Sequence, residues 1–396
     1  MNKQESIGRR EFLMGMAGSV AAVRLSHAAG RESVSKKLRY GVVGSGLRSR
    51  SAHLPILKRY FPNVEIVALC DITPENLQEG LRICGPATKG YLFHQEMLEK
   101  HPELDAVIVV VPDFKHADVT VDALEAGKHV LCEKPIATHL ADADRMIGTA
   151  QRKKLILQIG QQMRYTPVFE QAAKLVQQGR IGTLECIFGS LFRGDWNPRS
   201  WKYTNPVTGV RSNWRFLTYC EGSSLLEDGI HELDVIHWLV GVEPVRIEAT
   251  GGNNIFKDRQ TIDHAGLLID FEGGAKCNFA FTLFTPGIGR TMEFYGSTGQ
   301  LRIEKSDIFI RPYRGRPERM TVPSGGPPAY EEGGRIHHIE AGTYNEHQAF
   351  IHSIVTGAPP FADGKVGRDA AHISLAAEHS LRNGGKPVAW NDEEGL

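Results

Sequence analysis

From residue 38 to about residue 160 the chain alternates between short, nearly continuous β-branched runs and longer amphipathic stretches. The runs LRYGVVGSG, VEIVALCD, DAVIVVVP, HVLCEKP and LILQIG lack the apolar/polar alternation of a half-exposed strand, so they predict strands buried on both faces. Between them SAHLPILKRYF, PENLQEGLRIC, HADVTVDALEAG and LADADRMIGTAQRKK have helical length and periodicity, and Gly127 suits the C-cap of the third. Strand and helix in repeated alternation predict an α/β domain with a doubly wound parallel sheet over 36–160.

After about residue 165 the pattern changes. One helix, PVFEQAAKLVQQGRIG, leads into TLECIFGSLFRG, PVRIEATGGN, HAGLLIDFEGGAKCNFAFTLF, RTMEFYGSTGQLRIEK and DIFIRPY, which alternate with a period of two. FEGGAK and GSTGQ read as hairpin turns, where glycine supplies positive φ. The expectation is a second α/β domain over 161–344 with a large, mainly antiparallel, open-faced sheet. NEHQAFIHSIVTG and GRDAAHISLAAEHSLRNG are closing helices within 345–396.

Composition narrows the ligand. The 396 residues exceed one ordinary domain, and 46 Lys and Arg balance 46 Asp and Glu, so a nucleic-acid partner has no electrostatic support. Six scattered cysteines show no zinc spacing, and no metal site is expected. The first 30 residues differ: Arg9 and Arg10 precede Phe12, Leu13 and a short Gly/Ala-rich stretch, the pattern of a twin-arginine export signal. It implies a periplasmic protein, or a cytoplasmic one if the signal is not used. The stretch is too short to span a bilayer, which takes about 20 residues.

The first strand-to-helix turn carries Gly44, Ser45, Gly46, Leu47 and Arg48. Glycines there let a pyrophosphate approach backbone N–H groups and the positive end of the following helix. Ser49 stands where the GxGxxG fingerprint has its third glycine. Asp71 ends the second strand at the spacing of an acid that binds a ribose 2′-hydroxyl, although it also suits a helix N-cap. An acid there favours NAD; Arg48 nearby leaves NADP open.

Glu133 and Lys134 stand at the carboxyl end of a buried strand, the end that faces the ligand crevice in a doubly wound sheet. Desolvation and an oxidised nicotinamide would suit a lysine there to proton transfer; a surface ion pair is the alternative. At GVVGSG, CDITPENL, VVPDFKHADVTVDALEAGKHVLCEKP, GQQMRYTPVFEQAAKLVQQGRIG, GIHELDVIHWLVG and GSTGQLRI the chain resembles the glucose-fructose oxidoreductase, inositol dehydrogenase and MocA family. The resemblance implies a Rossmann domain followed by an open-faced α/β domain whose sheet often forms a homodimer or homotetramer interface. It implies that Lys134 assists proton transfer from a sugar or polyol hydroxyl while hydride passes to nicotinamide. It also places Val111, Pro112, His116 and Glu133 near the cofactor.

LLEDGIHELDVIHWLVG, residues 225–241, offers three further candidates on one face of an α-helix: Glu227, His231 and Asp234 at i, i+4 and i+7. His231 is the expected acid/base, with Glu227 orienting it or binding substrate, unless Glu227 only completes a capping box from Ser224. Asp234 would support neighbouring structure, His237 would pack in an apolar stripe, and Asp228 and Glu232 would point elsewhere. Gln161, Arg164 and Tyr165 after the fifth strand, with Trp214 and Arg215, complete the expected sugar pocket. The expected function is NAD-dependent oxidoreduction of a sugar or polyol. A glycosidase working by transient ring oxidation and a non-catalytic binding protein are the alternatives.

Overall fold

In the computed structural model the described residues are 37–195, 202–204, 211–218, 222–332 and 335–396. The expected export segment lies outside them. Five apolar runs form β1 (Leu38–Val43), β2 (Val64–Cys70), β4 (Ala106–Val109), β5 (His129–Cys132) and β6 (Leu157–Ile159), and a short polar segment adds β3 (Lys89–Tyr91). All pair in parallel in the order β3-β2-β1-β4-β5-β6. The order reverses between β1 and β4, and doubly wound sheets bind ligands at the carboxyl ends flanking such a switch.

The connecting helices are α1 (Leu54–Tyr60), α2 (Pro74–Cys84), α3 (His94–Lys100), α4 (His116–Glu125) and α5 (Leu140–Lys153). They cover both faces, which is why these strands are continuously apolar: Val107 and Val109 of β4 enter one core, Ala106 and Ile108 the other. β3 and α3 were not among the expected elements. β3 is a three-residue edge strand with a central glycine, too short to carry a periodic signal.

The second domain contains α6 (Pro167–Gln177), β7 (Leu184–Arg193), the small pair β8 (Lys202–Thr204) and β9 (Arg211–Asn213), and α7 (Ile230–Val240). Strands β10 (Pro244–Gly252), β11 (His264–Phe271), β12 (Lys276–Thr282), β13 (Ile288–Gly296), β14 (Gly299–Glu304), β15 (Asp307–Pro312) and β16 (Glu318–Thr321) follow. A hairpin of β17 (Tyr330–Glu332) and β18 (Arg335–His337), then α8 (Ala341–Thr356), α9 (Gly364–Arg382) and β19 (Val388–Ala389), complete the chain. Nine strands pair as β16-β15-β14-β13-β7-β12-β11-β10-β19, antiparallel except for β7 beside β12.

One face of this sheet packs Ile187, Leu267, Phe279 and Phe294 against Ala172 of α6, Leu233 of α7 and Ile373 of α9. The other is open: Phe188 and Leu268, on the alternate positions, are each 47% exposed. α8 packs back on the first domain, and α9 joins the cores of both domains. Phe350 of α8 is fully buried with Tyr40 of β1, and α9 sends Ala370 and Ala371 into one core and Ile373 and Ala376 into the other.

Candidate active site

At the end of β1 the chain must pass close to β4. Gly44 has φ +99°, and a Cβ there would lie 2.1 Å from the Val110 carbonyl oxygen, so only glycine fits. Gly46 meets no atom within 4 Å and opens onto a cavity of about 730 Å³. The helix after it begins with a π turn, Ser49–His53, and buries Ser49 where the fingerprint has glycine. Asp71 closes this end. Its Oδ2 accepts from Ser45 N at 2.7 Å and its Oδ1 from Thr73 N at 2.8 Å, while the residue also lines the cavity. The N-cap of α2 is Thr73, so Asp71 is not the helix cap that its sequence position also suited; each of its carboxylate oxygens keeps a second lone pair for a ribose hydroxyl.

Arg48 lines the same cavity with Leu47, but its guanidinium is taken up elsewhere. It donates to Glu133 Oε1 at 2.6 Å, Glu340 Oε2 at 2.7 Å, Thr343 Oγ1 at 2.9 Å and also Gln162 Oε1. With those acceptors engaged it is not available to a 2′-phosphate, which corrects the sequence expectation. Arg50, which sequence reasoning passed over, is the cation on the Asp71 side, with Asn76 Oδ1 and Glu79 Oε2 each at 3.0 Å.

Val111, Pro112, His116 and Glu133 carry the wall toward Lys134. Lys134 Nζ lies 3.0 Å from Glu227 Oε2 and donates to the Glu227 carbonyl oxygen at 2.7 Å. Arg215, stacked 4.6 Å over the Trp214 ring, pairs with Glu227 Oε1. Burial raises the Glu227 carboxyl, but Arg215 and Lys134 outweigh it and bring it down to about 2. Asp113, just past Pro112, is hydrogen-bonded to Glu227; burial and then the Glu227 charge push its carboxyl well above the usual range. Two carboxyls this close oppose each other's ionisation, and the cations on Glu227 leave Asp113 as the one pushed up. Nothing in the sequence reading singled out Asp113, although its place after β4, at the topological switch, was the available signal.

His231 faces the same end of the cavity. Burial, then the charges of Lys134 and Arg290, hold its ring well below the usual histidine range and so neutral. Its Nδ1 is buried without a hydrogen-bond partner.

The regular-helix reading of 225–241 needs correction at its start, because Leu225–Gly229 is a π turn and only Ile230–Val240 is α-helical. The wider turn brings Asp228 into the cavity lining beside Glu227, where Arg193 Nη1 donates to it at 2.6 Å. Ser224 makes no side-chain cap; Ser223 Oγ accepts from Leu225 N instead, and the Glu227 carboxylate belongs to Lys134 and Arg215. Glu232 is fully buried against Arg290, itself a cavity residue. His237 packs beside Phe271 and Trp390.

Gln161, Arg164 and Tyr165 lie outside the cavity, contrary to expectation. The chain after β6 enters a 3₁₀ turn that directs them into the packing beneath α7 and α8. Arg164 is held in a fork by Asp234, with three contacts of 2.8–3.0 Å, and the Tyr165 hydroxyl accepts from Ala362 N. Gln162 is the residue of this turn that reaches the cavity. Among the described residues no group of three His, Cys, Asp or Glu could hold a metal.

Fold and site together define an α/β dinucleotide-binding protein whose crevice is closed by charged groups from a second domain. The chain belongs to the GFO/IDH/MocA family: residues 38–161 match its oxidoreductase model with an NAD-binding Rossmann fold, and residues 169–302 match a GFO/IDH/MocA C-terminal domain. It is 32% identical over 204 residues to an inositol 2-dehydrogenase of Salmonella paratyphi B, a match spanning 51% of this chain and 54% of that one. The chain thus spans about half the length of that relative. A myo-inositol 2-dehydrogenase of Thermotoga maritima is 26% identical over 357 residues, covering 87% of this chain and 96% of its own. Among solved structures, the scyllo-inositol dehydrogenase from Lactobacillus casei with bound NAD(H) and scyllo-inositol superposes with a TM-score of 0.69. At 21% identity, over 90% of this chain and 99% of that one, it speaks to the fold.

Proposed function

We propose that this protein is an NAD-dependent oxidoreductase that moves hydride between a carbinol carbon of a sugar or polyol and nicotinamide. The observation that carries the proposal is the convergence of Lys134, Glu227 and neutral His231 on one end of the cavity whose other end is the glycine turn and Asp71. When bound, NAD supplies the hydride acceptor.

In the oxidising direction the substrate C–H bond breaks with its electron pair, a C=O bond forms, and the hydroxyl proton leaves to a protein base. His231, held neutral, offers a ring nitrogen as that base. Lys134 stabilises the substrate oxygen as the proton departs and passes protons onward. Glu227 holds Lys134 in place and is itself held by Arg215. Trp214 offers an aromatic face to a sugar ring.

The test is to purify the protein, release and identify any bound nucleotide, and screen sugars, polyols and aryl glycosides by nicotinamide absorbance and by aglycone release. Net nicotinamide reduction by a sugar or polyol is expected. Catalytic aglycone release without net reduction would contradict the proposal and favour redox-neutral hydrolysis.

Arg9 and Arg10 ahead of the Gly/Ala-rich stretch support export by a twin-arginine route, testable by replacing both with lysine and following cell fractionation. The open sheet face, with Phe188 and Leu268, supports a homo-oligomer.

A further inference from the structure

We infer that His116 is a buried imidazolium, charged at neutral pH, that biases the bound nicotinamide toward its reduced, uncharged ring. The ring sits at the start of α4, 1% exposed, on the cavity wall between Val111 and Lys134. Its Nδ1 lies 2.6 Å from the Pro135 carbonyl oxygen and its Nε2 lies 3.0 Å from the Val111 carbonyl oxygen. A carbonyl oxygen only accepts. A neutral imidazole carries one N–H and one lone pair, so it can satisfy one of these contacts and must oppose a lone pair to the other. Only the doubly protonated ring makes both hydrogen bonds.

The surroundings agree. Burial opposes the charge, but Cys132, the Pro135 carbonyl and Glu133 outweigh it and lift the ring to about 9. Glu133 does not cancel the cation, because it is already shared between Arg48 and His53. The two carbonyls belong to the segments that follow β4 and β5, so the histidine also ties together the ends of these two neighbouring strands.

The consequence rests on the dinucleotide reading above. An oxidised nicotinamide ring carries a positive charge that the reduced ring lacks. A fixed cation in a partly desolvated wall therefore repels the oxidised form selectively and makes hydride acceptance more favourable. His116 is a positioning and electrostatic residue in this scheme; it takes no proton from the substrate.

Two measurements test it. In full-length protein labelled with ¹⁵N in the histidine rings, with the His116 signals assigned by comparison with His116→Gln, both ring nitrogens are expected to resonate as N–H at neutral pH. One nitrogen in the unprotonated range would overturn the inference. Titration of wild type and His116→Gln with NAD⁺ and NADH, followed by fluorescence and calorimetry, reads the second half. NADH is expected to lose its preference over NAD⁺ by about tenfold in the variant. Equal changes for both nucleotides, or none, would overturn the bias while leaving dinucleotide binding intact. Failure of wild type to bind either nucleotide would instead strike the cofactor reading itself, and the redox bias with it. If His116→Gln does not fold, comparison with His116→Asn assigns the signals.

Discussion

Glu227 is the residue on which most of the site's charges converge, since Lys134 and Arg215 both need its carboxylate and Asp113 lies beside it. Glu227→Gln keeps the shape and removes the charge, leaving two buried cations short of a counter-ion. Such a loss is expected to cost about 3 kcal/mol of stability by denaturant titration and to lower turnover about 100-fold or more. Unchanged stability would show that the pairs are not formed in solution. Asp113→Asn is the contrasting case, because it removes the like charge beside Glu227 and keeps a polar group of the same shape; activity should largely persist, and be lost in Asp113→Ala. Glu232 gives a pH test. Burial raises its carboxyl to about 7 despite Arg290, so between about 4.5 and 7 the folded state holds a proton that the unfolded chain has released. Stability from this group therefore falls as pH rises through that window, by up to about 3 kcal/mol. Glu232→Gln is expected to flatten the decline in Tm between about pH 4.5 and 7 relative to wild type; an identical decline would contradict the assignment. At this scale the sequence revealed residue type better than company. Lys134, Glu227 and His231 carry their chemistry in the motif, but the partners Asp113, Arg193 and Arg290 come from three distant elements that no local period connects.

Two turns decide how elements present these residues. At the first, Gly44→Ala would drive a Cβ onto the Val110 carbonyl and is expected to lower Tm markedly, whereas Gly46→Ala has room in the fold and fills the cradle instead. Gly46→Ala should bind NAD more weakly with Tm unchanged, measured by calorimetry and thermal melting; the reverse ranking would mean the cradle is misplaced. At the second, the π turn before α7 explains why an angular reading at 100° per residue grouped Glu227 with His231 correctly yet turned Asp228 away. Regular periodicity is legible because it repeats. A single widened turn leaves no repeat, and neither does the 3₁₀ turn that carries Arg164 and Tyr165 away from the cavity.

Over the whole molecule the parallel order and the long antiparallel sheet followed from apolar patterning, because burial on two faces and on one leaves different periods. The way α8 packs back on the first domain and α9 joins the cores of both did not, since an amphipathic helix does not name its partner. On the open face Leu268, Asn278, Phe188 and Glu293 lie side by side across β11, β12, β7 and β13. Leu268→Lys with Phe188→Glu is expected to shift the protein from oligomer to monomer in sedimentation while leaving the single-chain fold intact; a monomeric wild type would remove that proposal. The most direct test of the central claim is single-turnover reduction of bound NAD by an active sugar or polyol in wild type, Lys134→Ala and His231→Ala. Both variants are expected to bind NAD as wild type does and to transfer hydride about 100-fold more slowly or worse. Wild-type rates in both would contradict it.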